Sequence, residues 1–214
     1  IVDNGRTLSR EDFPEDERIY YHSNKNVGGS GGFARGMIES RSQTSKATHV
    51  LLMDDDVMIL PDSIFRTYML LKYIKPEYKN SFIGGAMLIL EEKNIQHEDI
   101  GTLDNLGVVR SLKPRWNHFL LRDNLLNEQH YKRGYMYQAW WYCCIPMKVI
   151  DENGLPLPLF IREDDAEYSL RCKADIITMN GICVWHMGFY GKFSGSMNIY
   201  QETRNFLIAQ ATTD

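Results

Sequence analysis

Asp54, Asp55 and Asp56 follow directly on an unbroken apolar run, Val50 to Met53. Carboxylates packed this closely repel one another unless a cation sits between them, and hard oxygen ligands suit Mg²⁺ or Mn²⁺. A solvated acidic turn is the plainer account of the same triplet. A second group, Glu163-Asp164-Asp165, crowds the first turn of a stretch with helical periodicity, Arg162 to Lys173, in which Ala166, Tyr168 and Leu170 are available for packing. Capping is the ordinary role of acids there. The same place holds a carboxylate rigidly enough to act as a general base, the helix dipole lowering its pKa while burial and neighbouring carboxylates raise it. His186 ends a strand-turn-strand segment, Ile176 to Gly188. It gains chemical weight only if it faces the aspartates. Trp140-Trp141 lie in the apolar run Tyr135 to Pro146. On a strand they point to opposite faces, so one can pack in the core while the other lines a cleft and offers its ring to the C–H face of a sugar. Two core tryptophans is the competing expectation.

These residues need elements to position them. Val50–Met53 is too short for a core helix and suits a strand buried on both faces of a parallel sheet, whose ligands bind beyond the carboxyl ends of the strands. If that strand stays extended, Asp54 and Asp56 share one side and Asp55 takes the other. Ahead of it come a strand end at Ile1–Gly5, a polar turn-like segment, a short strand at Arg18–His22, a glycine-rich loop at Ser23–Gly32 and a helix at Phe33–Ser40. Glycines there let backbone approach a ligand, and the helix N-terminus offers N–H groups to phosphate. Neither the dinucleotide nor the P-loop fingerprint is matched, and a flexible connector is the blander account. After the aspartates, Asp62 or Ser63 can cap a helix to Lys75 with Ile64, Phe65, Tyr68, Leu70 and Leu71 as its apolar face. Ser81–Leu90 is a strand whose Gly84-Gly85 marks a bulge or a close backbone approach. Strands alternating with helices imply a parallel, doubly wound sheet. Glu91–Arg133 has no sustained period and reads as a lid or binding surface, with His97, His118 and His130 as surface histidines. A terminal helix is expected over 198–211.

With 214 residues, 43% hydrophobic and 24% charged, the chain suits one domain with a substantial core. A formal charge of -4 and no long basic run argue against nucleic acid as a partner. No apolar stretch reaches transmembrane length, and nothing near the start reads as a signal peptide. The four cysteines show neither CxxC nor scaffold spacing, so buried thiols in a reducing compartment are expected. The opening at Ile1, partway through a strand, reads as entry into a longer sheet.

Taken together, Asn26-Val-Gly-Gly-Ser-Gly-Gly-Phe-Ala-Arg35, Asp54-Asp55-Asp56, Trp140-Trp141 with Glu163-Asp164-Asp165-Ala166, and Trp185-His186-Met187 resemble the inverting family 2 glycosyltransferases of the GT-A fold. The nearest branch is the galactofuranosyltransferase-like one, and the resemblance covers nearly the whole chain. It implies an α/β, GT-A type fold: a mostly parallel central sheet flanked by helices, with 1–214 a single catalytic domain that lacks its first strand and helix. Residues 1–90 would form the nucleotide-sugar-binding half, and 91–214 the half that holds the acceptor and the base.

The resemblance also assigns roles. Asp54, Asp56 and His186 would hold Mn²⁺ or Mg²⁺. Asp3, Asn26, Gly28, Arg35, Asp54 and Asp55 would bind the donor. Trp140, Trp141 and Asp164 would bind the acceptor, and Asp165, with Asp164 orienting hydroxyls, would be the catalytic base. The implied partners are a UDP-sugar donor, UDP-galactofuranose first, and a glycan or lipid-linked glycan acceptor of bacterial surface polysaccharide, with a homo-oligomer left open. The implied location is the cytoplasm or the inner face of the membrane. Tyr200-Gln-Glu-Thr-Arg-Asn205 departs from that branch, which carries a histidine pair before Arg-Asn. A rhamnosyl- or other hexosyltransferase, a non-catalytic carbohydrate-binding fragment and a two-metal phosphoryl enzyme are the alternatives.

Overall fold

The computed structural model describes residues 1–103, 109–126, 129–131, 135–189 and 194–213. The order is β1 (Val2–Asp3), β2 (His22–Ser23), α1 (Gly28–Ser42), β3 (His49–Leu52), β4 (Met58–Ile59), α2 (Pro61–Tyr73), β5 (Phe82–Ile89), β6 (Gln96–Glu98), β7 (Gly101–Leu103) and β8 (Val109–Ser111). There follow α3 (Leu121–Leu126), β9 (Gln129–Tyr131), β10 (Met136–Tyr137), β11 (Cys143–Pro146), α4 (Met147–Asn153), α5 (Asp164–Arg171), β12 (Ile176–His186), a π-helical turn (Gly195–Gln201) and α6 (Glu202–Thr212).

The main sheet runs β3-β11-β5-β12-β4, with β6 added to β5 and β9 to β12; β1-β2 and β10-β7-β8 form two smaller sheets. All eight residues of β5 are buried, and β12 lies parallel to it. Both of these long strands change partner midway. The first half of β5 pairs with β11 and its second half with β6, while β12 passes from β9 to β4. A sheet whose central strands switch neighbours in this way curls, and the carboxyl end of β12, His186, lies on a cleft.

The expected mostly parallel sheet is therefore a mixed one. Among the described residues only β1–β2 and β5–β12 pair in parallel, and β11 is antiparallel to both β3 and β5. The reason is the route into β11, a tight turn at Trp140–Tyr142 rather than a crossover helix; an apolar run reports burial and not direction. Nor is β3 buried on both faces. It pairs with β11 alone among the described residues, and its burial alternates, Val50 and Leu52 in, His49 and Leu51 half out.

Other expectations shift in detail. The glycine-rich segment is helix from Gly28 onward. Gly28 has φ +74, and a Cβ there would fall 1.9 Å from the Phe160 carbonyl oxygen, so glycine is required by close approach of two backbones. The Gly84-Gly85 pair is also a close approach: a Cβ on Gly85 would meet the Tyr142 ring at 2.6 Å. On α2, Leu70 and Leu71 pack inward but Ile64, Phe65 and Tyr68 stay exposed, and the buried positions are Ser63 and Thr67, bonded to β12 and to Tyr142. Its N-cap is Leu60 with no side-chain bond, Pro61 starting the helix instead. Within the segment 176–188, Ile176–His186 is one strand with a register shift rather than two strands and a turn. No helix among the described residues is long and apolar enough to cross a membrane.

Candidate active-site cleft

β3 stops at Leu52, and the chain turns through Asp55-Asp56 before β4. Alternation along an extended strand therefore does not set the aspartates. What sets them is β4, where Met58 pairs with Trp185 and Ile59 with Val184, so the turn is pinned beside the last residue of β12. That residue is His186. Its Nε2 lies 2.9 Å from Asp56 Oδ1, and one ligand atom from each of Asp54, Asp56 and His186 lies within 4.8 Å of the other two. The His186 Nδ1 sits 2.6 Å from the Met187 carbonyl, to which it donates, leaving the Nε2 lone pair facing the carboxylates. An octahedral Mg²⁺ at about 2.1 Å from its ligands puts adjacent ligands about 3 Å apart. The His186–Asp56 spacing suits that geometry, and the oxygen-rich donor set suits Mg²⁺ or Mn²⁺. Burial raises Asp54 to about 6, opposed by His186 and assisted by Asp56 and Asp55.

The facing wall begins with backbone strain. Phe160, Arg162 and Glu163 have φ of 73, 69 and 64, left-handed values for three non-glycine residues immediately before α5. Asn205, fully buried in α6, directs its Nδ2 to the carbonyls of Leu159, Ile161 and Arg162 at 3.0, 2.7 and 2.9 Å, and Arg204 donates to Leu159. Ser30 of α1 binds the same loop through Leu157 and Phe160. The Arg-Asn pair of the terminal segment thus holds the loop that aims α5. Asp164 and Asp165 occupy the first turn of α5, with Asp165 Oδ1 accepting the Ala166 N–H at 2.7 Å. Both can be reached from the cleft yet are ringed by protein. Enclosure, then the neighbouring acids, push Asp165 well above the usual carboxylate range, while enclosure puts Asp164 at about 6 and Glu163 at about 7.

A cavity of about 720 Å³ joins the two walls, lined by Asp54 and His186 on one side and Glu163, Asp164 and Asp165 on the other. Trp140 and Trp141 line it too. They stand in the turn before β11 rather than on a strand, and are 3% and 8% exposed. Each belongs to a different half of the core, Trp140 edge-on to Phe33 and Tyr168, Trp141 bonded to the Gly85 carbonyl. Both competing expectations hold in part, because these are core tryptophans with one edge on the cleft.

A second cavity of about 680 Å³ lies between β1, α1 and β3, lined by Asp3, Asn4, Asp54 and Asp55; Gly29, Phe33 and Asp54 line both cavities. Asp3 is there, but its carboxylate is already used by the N–H groups of Gly5, Arg6 and Leu8 and by Tyr21, bonds that hold it below the usual range. Three expected donor residues are not brought to either cavity. Asn26 accepts the Gly28 N–H, Gly28 is filled by the Phe160 backbone, and Arg35 pairs with Glu39 along α1. Gly29 takes the lining place expected of Gly28.

Sequence reasoning missed His97, Glu98, Tyr137, Arg162, Phe189 and Glu202 on the cleft wall. His97 is not a surface residue: its ring packs against Trp141 and Phe189, and burial lowers its pKa. His118 bonds Asn124 and Gln96, and the His130 side chain lies outside the described residues. The signal for His97-Glu98 was faint, two polar residues in a short strand inside an aperiodic stretch.

Fold and cleft together define a mixed α/β protein with a cation-type ligand cluster facing a bank of buried carboxylates. No family model matches the chain. The galactofuranosyltransferase GlfT2 of Mycolicibacterium smegmatis is 32% identical over 208 residues, covering 91% of this chain and 32% of that protein. The galactofuranosyltransferase GlfT2 of Mycobacterium tuberculosis is 33% identical over 230 residues, covering 99% of this chain and 36% of that protein. The chain is thus related to glycosyltransferases along nearly all its length, and it spans about a third of the length of these relatives.

Proposed function

We propose that the chain forms the catalytic core of a metal-dependent, inverting glycosyltransferase of GT-A type. It would move a sugar, galactofuranose first among the candidates, from a UDP-sugar to a glycan acceptor of bacterial surface polysaccharide. The observation that carries this reading is one cavity bounded by Asp54 and His186 on one side and by Asp164 and Asp165 on the other, in a chain related to galactofuranosyltransferases. A site built only to bind carbohydrate has no use for an enclosed, proton-seeking carboxylate across from a cation cluster.

In this reading Asp54, Asp56 and His186 hold Mn²⁺ or Mg²⁺, which when bound supplies Lewis-acid neutralisation of a diphosphate. Asp55 and the cavity beside β1 take the nucleoside, with residues 1–90 as the donor half. Trp140 and Trp141 present ring edges to the acceptor, and Asp164 orients its hydroxyls. Asp165 accepts the proton of the attacking hydroxyl as its oxygen bonds to the anomeric carbon. The bond from that carbon to the diphosphate oxygen breaks, and its electron pair leaves with the nucleoside diphosphate. The raised pKa of Asp165 makes it a stronger base than a solvated aspartate. One displacement inverts the anomeric centre, and holding the two substrates in line supplies much of the rate.

The test is a titration of the 214-residue chain with UDP-, dTDP- and GDP-sugars, with and without Mn²⁺. Binding of UDP-sugars that requires Mn²⁺ is expected. Tight binding of dTDP-sugars alone would move the assignment to a rhamnosyl-type donor, and no nucleotide-sugar binding at all would overturn it.

A further inference from the structure

Lys113 is 1% exposed, and its ammonium pairs with Asp99, which is also 1% exposed. The same ammonium lies 3.5 Å from Thr178 Oγ1 on β12 and above the Trp116 ring. Neither Lys113 nor Asp99 lines the cleft. Burial pushes Asp99 up and Lys113 down, each opposed by the charge of the other. Taking two charges out of water costs about what their attraction returns, so apolar residues of similar size hold a fold as well or better. Stability therefore gives little reason for this pair. Direction does, because an ion pair is satisfied in one arrangement and a buried charge left alone is penalised in every other.

The pair stands behind an irregular piece of strand. Along β6, Glu98 lies opposite Met87 but Gln96 lies opposite Leu88, so His97 is one residue more than β5 can match. Such a bulge lets two consecutive side chains share a face. Here His97 and Glu98 both line the cleft, where strict alternation would send one of them away. Gln96 and Asp99, on either side of them, are buried off the cleft, and both reach Lys113. Gln96 Nε2 donates to the Lys113 carbonyl at 3.5 Å, while Asp99 takes the Lys113 ammonium. Two neighbouring bonds follow the same edge, from the Gln96 N–H to the Trp116 carbonyl at 2.8 Å and from Ser111 Oγ to the His97 carbonyl at 3.3 Å. One residue thus brackets the bulge, and with its two ends tied to the far face the residues between them turn to the cleft.

We infer that Lys113 is a positioning residue for the cleft: its carbonyl on Gln96 and its ammonium on Asp99 hold the bulge between them and so aim His97 and Glu98 at the cavity. Lys113 acts through these residues and touches no substrate. The inference rests on the transferase reading only for the rate it predicts. His97, whose ring packs against Trp141 and Phe189, reports the aim of the bulge directly.

The experiment compares the wild-type chain with Lys113→Met, which leaves Asp99 buried alone, and with Lys113→Met/Asp99→Leu, which replaces the pair by apolar side chains. Thermal midpoint, UDP–Mn²⁺ affinity, and kcat and KM for transfer from UDP-galactofuranose to an octyl galactofuranose disaccharide are measured on each. The His97 ring resonances, assigned by their absence from His97→Gln, give a reading that needs no turnover. Lys113→Met should melt below wild type. The double variant should melt at or above it, with UDP–Mn²⁺ affinity within about twofold. Its kcat should nevertheless stay about 10- to 100-fold low, the scale of loss when a remote change misplaces groups in a site, and its His97 resonances should shift. A double variant that regains kcat together with stability and keeps the His97 resonances in place would overturn the inference. So would one that stays as unstable as Lys113→Met, because the pair would then hold up the fold rather than aim one wall. Wild-type chain without transfer, but with His97 resonances that move in the double variant, would remove the transferase reading and leave the positioning role standing. Wild-type transfer, with His97 resonances unmoved in a stable double variant, would do the reverse.

Discussion

The two walls of the cleft solve opposite electrostatic problems. On the β3–β4 turn, Asp56 is more than half exposed beside the His186 Nε2 that faces it, and burial raises Asp54 of the same cluster to about 6. On α5 and β6, Glu98, Asp164 and Asp165 are enclosed and their pKa values pushed up chiefly by burial. The first wall has its charges poised for a cation to arrive. The second keeps its carboxyl groups avid for protons. Clustered acids at the end of an element can thus mean either charge storage or basicity, and enclosure decides which.

The sharpest way to break this comparison is to neutralise one wall at a time. Asp165→Asn should lower sugar transfer by about 10³-fold, within the span general bases contribute, while Mn²⁺-dependent UDP binding stays near wild type. His186→Ala should do the converse, weakening Mn²⁺ binding by more than about 100-fold, since even residues that only support a ligand are worth about 10–100-fold. Initial rates and calorimetric Mn²⁺ titrations on both variants decide the matter. If Asp165→Asn abolishes Mn²⁺ binding as well, the walls are not separate functions.

The comparison sharpens further at the loop beneath α5. Asn205 answers three carbonyls around residues of left-handed φ. Asn205→Ala leaves those buried acceptors short of a donor, for an expected loss of about 2–3 kcal/mol in chemical denaturation. Because the strain lies next to Asp164 and Asp165 and far along the chain from Asp54, transfer should fall more than Mn²⁺ affinity. Equal falls in both would mean the clamp supports the whole fold and not one wall.

The two walls were also unequally legible in the sequence. The grouping of Asp54 and Asp56 with His186 rested on an acidic triplet after an apolar run and on the family resemblance; the three do meet, though the extended-strand geometry offered for the aspartates was wrong. They meet because β4 pairing, rather than strand alternation, brings Asp56 to His186. The α5 acids were legible for the same reason of local crowding. Glu98 and His97 were not, because nothing local distinguishes a polar residue on a short inner strand from one on a loop; their position depends on β6 pairing with β5, whose paired residues Met87 and Leu88 precede β6 in the chain. The sheet direction failed likewise, since a parallel sheet and a β11 inserted antiparallel need the same apolar runs. Arg35 and Asn26 were assigned to the donor by the resemblance, and the partners that occupy them, Glu39 on the same helix and the Gly28 N–H of the same turn, are local ones.

The smallest effect follows from the enclosed wall in the absence of a divalent cation. Glu98 and Glu163 titrate at about 7 and Asp164 at about 6, all above their ordinary values of 4.5, 4.5 and 3.8. Between those limits the folded chain holds more protons than the unfolded one, so stability falls as pH rises through the shifted values. The stabilisation is complete below about pH 4 for these groups, and it is lost progressively from about pH 4 to 7. Melting temperature should therefore rise on acidification from pH 8 to pH 5.5, where most surface carboxylates remain ionised and add little slope of their own. Glu98→Gln removes one contributor and should flatten that slope without moving the low-pH end. A melting temperature that falls on acidification would mean the enclosed acids are ionised in the fold, and would erase the contrast between a wall that stores charge and a wall that seeks protons.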